Sequence, residues 1–114
     1  MSTTISVGNA GETRAAEYLE SLGYSIIERN FRAKVGEIDI IALNEDVVVI
    51  VEVKTRASEK FASASDYVTR AKQRKLKNTA LMWMKIRQCE PPLRFDVIEV
   101  YANGKINHIT DAFR

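Results

Sequence analysis

Apolar residues recur along this chain with two different periods, and the places where the period changes mark out its elements. From about Gly11 to Leu22, Ala15, Ala16, Leu19 and Leu22 recur at helical spacing, and Gly23 is a natural stop signal. At about 100° per residue, Glu12 falls within that apolar stripe beside Ala16 and Leu19, while Arg14, Glu17 and Glu20 point away from it. Glu12 is therefore the misfit of the helix. Tyr24–Phe31, containing Ile26 and Ile27, reads as a strand. Val35–Leu43 and Val47–Thr55 follow as two more, joined by turn chemistry at Asn44-Glu45-Asp46. Residues 56–66 are small, polar and charged and read as a loop, with Asp66 as N-cap of a long helix from about Tyr67 to Gln88. Val68, Leu76, Ala80, Trp83 and Met84 mark the apolar side of that helix, and Pro91-Pro92 bars its continuation. Leu93–Tyr101 is a further strand, and Asn103-Gly104 signals a hairpin into Lys105–Ile109. Residues 1–8 are expected to be flexible. The order of helix, three strands, helix and two strands predicts one α/β domain over residues 1–114.

Composition adds two exclusions. A hydrophobic fraction of 46% and a charged fraction of 28% suit an ordinary globular protein. No apolar run approaches the length of a membrane span, so no membrane partner is expected. The first ten residues lack the basic-then-apolar pattern of a signal peptide, and Cys89 is the only cysteine, so no internal disulfide can form. Both point to the cytoplasm.

Charge changes the picture more. The net charge is only +2, yet residues 54–88 hold ten Lys/Arg against Glu59 and Asp66. The remainder is correspondingly acidic. A basic face of this kind suits a polyanion such as nucleic acid, although a solvated helix face has the same composition.

The candidate chemistry lies where carboxylates interrupt apolar strands. Gly36-Glu37-Ile38-Asp39 and Glu52-Val53-Lys54 sit in runs otherwise patterned for burial. Alternation puts Glu52 and Lys54 on one face and Val47, Val49, Val51 and Val53 on the other. With Glu45 and Asp46 as the two central residues of the turn, residue 44 pairs with 47, and continuing that register sets Asp39 opposite Glu52. Two carboxylates about 5 Å apart repel by roughly 3 kcal/mol at an effective dielectric near 20. Mg²⁺ (or Mn²⁺) would relieve that repulsion, because such a cation uses one or two carboxylates and fills its shell with water and substrate oxygens. A plain salt bridge from Lys54 to Glu37 or Glu52 on a solvated sheet face fits the same spacing.

An acidic residue at the end of one strand followed by Glu-x-Lys on the next resembles the PD-(D/E)xK motif of restriction-endonuclease-like nucleases. Gly36-Glu37-Ile38-Asp39, Val51-Glu52-Val53-Lys54-Thr55-Arg56, the early Gly8-Asn9-Ala10-Gly11-Glu12, Asn30 and Arg94-Phe95-Asp96 together resemble the YraN family of uncharacterised bacterial predicted endonucleases. The resemblance runs from about Gly8 to Tyr101. It implies a restriction-endonuclease-like core, a central mixed β-sheet flanked by helices in the order αβββαββ. It implies Asp39 and Glu52 as metal ligands, with a carbonyl oxygen, that of Val53, completing the inner shell, and Lys54 as the catalytic lysine. Glu12 matches the acidic residue that Holliday-junction resolvases of this superfamily carry on the first helix. The superfamily has Pro before its first Asp, where this chain has Ile38. The activity so implied is metal-dependent hydrolysis of DNA phosphodiester bonds, in branched or structured DNA among other substrates. The alternative is a nucleic-acid-binding module that keeps the fold and no longer cleaves.

Around this cluster, Lys72 falls between Val68 and Leu76 and is turned toward the apolar side of its helix, as a phosphate contact or as a snorkelling lysine. Gln73, Arg74 and Lys75 belong to the solvated or nucleic-acid-facing surface, as do Arg70 and Lys77. Arg56 could hold a phosphate bidentately, or serve as partner to Asp96, for which Arg94 also competes. His108, the only histidine, is read as a surface residue. Trp83 with Met82 and Met84 reads as core or as a dimer patch. A domain this small contacts few base pairs, so a homodimer or a further partner is expected to assist target choice.

Overall fold

Seven elements follow one another in the computed structural model, which describes residues 7–57 and 68–114, with side chains from Ala10 onward. They are α1 (Val7–Ser21), β1 (Ser25–Ala33), β2 (Gly36–Asn44), β3 (Val47–Arg56), α2 (Arg70–Arg87), β4 (Leu93–Tyr101) and β5 (Ile106–Phe113). The strands form one sheet in the order β1-β2-β3-β4-β5. β1, β2 and β3 pair antiparallel, β3 and β4 pair parallel across the α2 connection, and β5 returns antiparallel to β4. The α/β fold, the mixed sheet with flanking helices and the order αβββαββ are those expected from the sequence.

The sheet is buried on both faces, which explains the unbroken apolar run of Val47–Val51. On one face Ala15, Ala16 and Leu19 of α1 pack on Ile40, Ala42, Val49, Val51, Ile98 and Val100. On the other, Leu76, Ala80 and Trp83 of α2 pack on Ile38, Ile41, Val48, Ile50, Phe95 and Val97. Each such fully buried aliphatic side chain contributes about 1.5–3 kcal/mol. Trp83 is thus core, and its indole N–H donates to Glu28.

Element ends follow local chemistry. α1 starts at Val7, four residues before the apolar stripe, and so takes in Val7 and Gly8 of the segment expected to be flexible; residues 1–6 lie outside the described residues. It stops where Gly23 adopts φ 94° and Tyr24 N–H donates back to the Leu19 carbonyl. α2 begins at Arg70 and not at Tyr67, because Thr69 is extended and its side chain accepts the Lys72 N–H. Asp66, expected to be the cap, lies outside the described residues, as does most of the 56–66 loop. The helix ends with Gln88 in the left-handed region and its N–H on carbonyls of the last turn. The second hairpin turns at Gly104 (φ 93°), but four residues separate β4 from β5, which runs on to Phe113. Among the described residues no helix is long and apolar enough to cross a membrane.

Candidate metal and nucleic-acid site

The β2–β3 ladder has the register set by the turn: Asn44 pairs with Val47, and successive pairs run back to Ile40 with Val51. The next step would set Asp39 against Glu52. Instead, Asp39 accepts the Val53 backbone N–H through Oδ2 at 2.8 Å, so a side chain takes the place of a ladder partner. Two irregularities make this opening. Ile38 lies in the α2-side core and Ile40 in the α1-side core, so β2 departs from strict alternation at Asp39. Across the β1 ladder, Asn30 lies between the pairs Arg29–Ile40 and Phe31–Ile38 and has φ 55°. Asparagine tolerates that left-handed backbone better than most residues.

Asp39, Glu52 and Glu37 line one cavity of about 470 Å³ together with Arg32, Lys72 and Lys75. Burial, then the charge of Glu52, pushes the Asp39 carboxyl up to about 7; the Val53 N–H works against this, and Glu12 and Glu37 add to it. Glu52 has cations closer at hand: Lys54 Nζ lies 3.3 Å from its Oε2 and Lys72 Nζ 4.0 Å. The Lys54–Glu52 salt bridge is therefore present, and it coexists with the open cavity beside Asp39. Burial lowers Lys54, but its hydrogen bond to Lys72 and the charges of Glu52 and Asp39 outweigh that, and the net direction is upward. Lys72 moves down because of its hydrogen bond to Lys54, then burial, then the charge of Lys54.

Glu12 is buried, as its place in the apolar stripe predicts, and its carboxylate is satisfied by Arg29 Nε at 3.0 Å and Asn30 Nδ2 at 2.9 Å. Arg29 and Asn30 are thus partners of Glu12 that sequence reasoning missed as a pair. The available signal was a turn-favouring asparagine within a strand. Glu37 reaches Arg32 at 3.5 Å, with both side chains largely exposed. Close approach positions the flanking helices. A Cβ on Gly11 would stand 2.7 Å from Thr55 Oγ1, next to Lys54, and one on Gly36 would stand 2.7 Å from the buried Thr79 Oγ1 of α2.

Among the described residues no group of three or more His, Cys, Asp and Glu side chains is placed to hold a metal ion. The donor set does not fit a zinc cage. Its oxygen donors are of the kind Mg²⁺ or Mn²⁺ takes: Asp39 and Glu52 could offer two carboxylates, with water or phosphate filling the rest of the shell.

The cationic residues expected to meet nucleic acid divide. Lys72 and Lys75 line the carboxylate cavity. Gln73 and Arg74 line a different cleft, and Gln73 Nε2 also donates to the Val68 carbonyl. Arg56 Nε lies 3.2 Å from the fully buried Glu99 carboxylate. Asp96 is held by Arg94 through two hydrogen bonds of 2.9 and 2.8 Å, so Arg94 and not Arg56 is its arginine. The surface reading of His108 is corrected: its side chain is 9% exposed, with Nε2 2.7 Å from Asp96 and Tyr18 Oη 3.2 Å from Nδ1.

A family profile described as uncharacterised protein family UPF0102 matches residues 11–100, which span the whole carboxylate cluster and α2. The UPF0102 protein of Caldicellulosiruptor saccharolyticus is 47% identical over 113 residues, covering 94% of this chain and 96% of its own. That of Caldanaerobacter subterraneus is 46% identical over 116 residues, covering 94% and 93%. The UPF0102 protein of Syntrophomonas wolfei is 41% identical over 111 residues, covering 94% and 96%.

Proposed function

The chain belongs to the uncharacterised protein family UPF0102, the YraN family that its motifs resemble, and for it we propose metal-dependent hydrolysis of phosphodiester bonds in DNA. One observation carries this reading. A half-buried carboxyl, Asp39, is pushed up to about 7 by burial and then by the charge of Glu52, and both carboxylates line one cavity with Lys72 and Lys75. A structural salt bridge needs neither the second carboxylate nor the cavity.

Hydrolysis requires in-line attack by water on phosphorus, departure of a sugar oxygen, and relief of the charge that accumulates on the phosphoryl oxygens. A bound divalent cation would supply charge relief and acidify a water. Asp39 and Glu52 would hold it, with the Val53 N–H fixing the Asp39 carboxylate on the β2–β3 opening. Lys54, fixed by Glu52, orients the attacking water and stabilises charge in the transition state. Lys72 and Lys75 hold the substrate phosphate from the α2 side. Arg29 and Asn30 fix Glu12 within reach of the Asp39 field.

A second reading has its own support. The Lys54 and Lys72 ammonium groups near Glu52 already neutralise one carboxylate, which suits a module that binds nucleic acid without cleaving it. The two readings separate in one assay, in which linear, branched and single-stranded DNA are incubated with Mg²⁺ or Mn²⁺ beside the Asp39→Ala and Lys54→Ala variants. Cleavage by the wild type that falls at least 100-fold in either variant is the expected result. Binding without cleavage gives the answer to the binding module, and undiminished cleavage by Asp39→Ala removes the carboxylate pair from the reaction.

A further inference from the structure

Helix α2 carries seven Lys/Arg and no acidic residue over its 18 positions, and these cations are distributed on two sides. Lys72 and Lys75 face the carboxylate cavity. Arg70, Arg74 and Lys77 line a second cleft of about 350 Å³ on the opposite flank, with Gln73 and Arg114. Among the described residues no acidic side chain lines this second cleft. Lys77 donates to the Arg114 carbonyl, and Arg114 pairs with Asp111. Arg70 and Arg74 are exposed and have no acidic partner among the described residues. At about 100° per residue, the exposed Ala71, Asn78 and Lys85 fall between the two sides. α2 therefore lies on the sheet with cations on two sides of its exposed surface, one side adjoining the carboxylates.

That shape has a natural complement. A helix with its side chains is about 10–12 Å across, and the major groove of B-form DNA is about 12 Å wide and bordered by two phosphate backbones. We propose that α2 enters the major groove of a B-form DNA duplex, with the strand to be cut on the Lys72/Lys75 flank and the complementary strand on the Arg70/Arg74 flank. The inference rests on the reading of the carboxylate cavity as the place where a DNA strand is held, and it names the substrate: double-stranded DNA, gripped on both backbones. Single strands have no second backbone for the far flank. An RNA duplex has a deep, narrow major groove that excludes side chains and so cannot admit the helix.

The test is fluorescence-anisotropy binding in EDTA, so that no cleavage intervenes. Labelled probes are a 20-base-pair DNA duplex, one of its strands, and an RNA duplex of the same sequence. Arg70→Ala/Arg74→Ala removes the two exposed cations of the far flank, and Lys75→Ala weakens the near one. The far-flank variant is expected to lose about tenfold or more on duplex DNA and to flatten the slope of log K against log salt by about 1.8, two phosphate contacts at roughly 0.9 each. Its affinity for the single strand and for RNA stays at the wild-type level, while Lys75→Ala weakens duplex and single strand alike. Equal losses on all three probes, an unchanged duplex affinity, or no binding of duplex DNA by the wild type each overturns the proposal. Cleavage is scored separately with Mg²⁺. Two-flank binding without cutting leaves this inference standing and removes the nuclease, whereas cutting with no far-flank effect does the reverse.

Discussion

Asp39 is the residue on which protonation, metal and fold all bear. Its carboxyl is pushed from the ordinary 3.8 up to about 7 by burial and by Glu52. A group raised on folding contributes stability that is full below its unfolded value and is lost as pH rises through its folded value. In the metal-free protein, stability should therefore decline between about pH 4 and pH 7, by on the order of 4 kcal/mol if Asp39 acts alone. A divalent cation reverses this preference, because it takes the carboxylate and must expel the proton. Mg²⁺ is expected to raise the melting temperature more at pH 8 than at pH 6. Asp39→Asn, which can still accept the Val53 N–H, should abolish both the decline and the Mg²⁺ response in calorimetric scans at the two pH values. Equal Mg²⁺ shifts at pH 6 and pH 8 would place the ion away from Asp39. Asp39 and Glu52 were legible because carboxylates in apolar strands are conspicuous and the turn fixes their register. The substitution of a side chain for a ladder bond was not, since it depends on the left-handed Asn30 across the neighbouring strand.

Among the elements, β5 is tied to the rest by more than its ladder. The fully buried Asp96 on β4 accepts from Arg94 and from the Asp111 N–H, and its Oδ2 lies 2.7 Å from His108 Nε2 on β5. The His108 ring meets Tyr18 of α1 edge-on, with centroids 5.5 Å apart. Burial raises the Asp96 carboxyl, but the bonds from His108, Arg94 and the Asp111 N–H outweigh it and bring it down to about 2. A depressed carboxyl contributes stability above its unfolded value that is lost as pH falls through the folded one. Asp96→Ala should cost about 3 kcal/mol at pH 7, leaving Arg94 and His108 without their shared anion. Urea unfolding from pH 7 down to pH 2 checks it: the gap to wild type narrows below about pH 4. A gap of constant size would assign the loss to packing. The sequence marks β4 to the residue, since Leu93–Tyr101 alternates between turn signals. It does not mark this network, because the β4–β5 register shifts between Phe95 and Val97, and a one-residue slip turns His108 from outside to inside. The start of α2 moved for a similar local reason, a threonine cap at Thr69 that the apolar periodicity does not see.

At the scale of the whole molecule, the sheet separates two helices of opposite charge. α1 carries Glu12, Glu17 and Glu20 against Arg14, with Glu17 and Glu20 exposed, while α2 carries cations alone. The shortest dimension of the protein is 29 Å, so a duplex lying on α2 is separated from the outer surface of α1 by the thickness of the sheet and both helical layers. The range of electrostatics then decides what α1 can do. The Debye length is about 8 Å at 0.15 M salt and about 30 Å at 0.01 M. Replacing Glu17 and Glu20 together by lysine should leave duplex affinity unchanged at 0.15 M and strengthen it at 0.01 M, where the field spans the molecule. Arg70→Ala/Arg74→Ala, by contrast, weakens binding at both salt concentrations, because those contacts are direct. Anisotropy titrations at the two ionic strengths make the comparison. If the α1 substitutions tighten binding as strongly at 0.15 M as at 0.01 M, then DNA touches both faces of the sheet, and a single duplex on α2 is the wrong geometry for the complex.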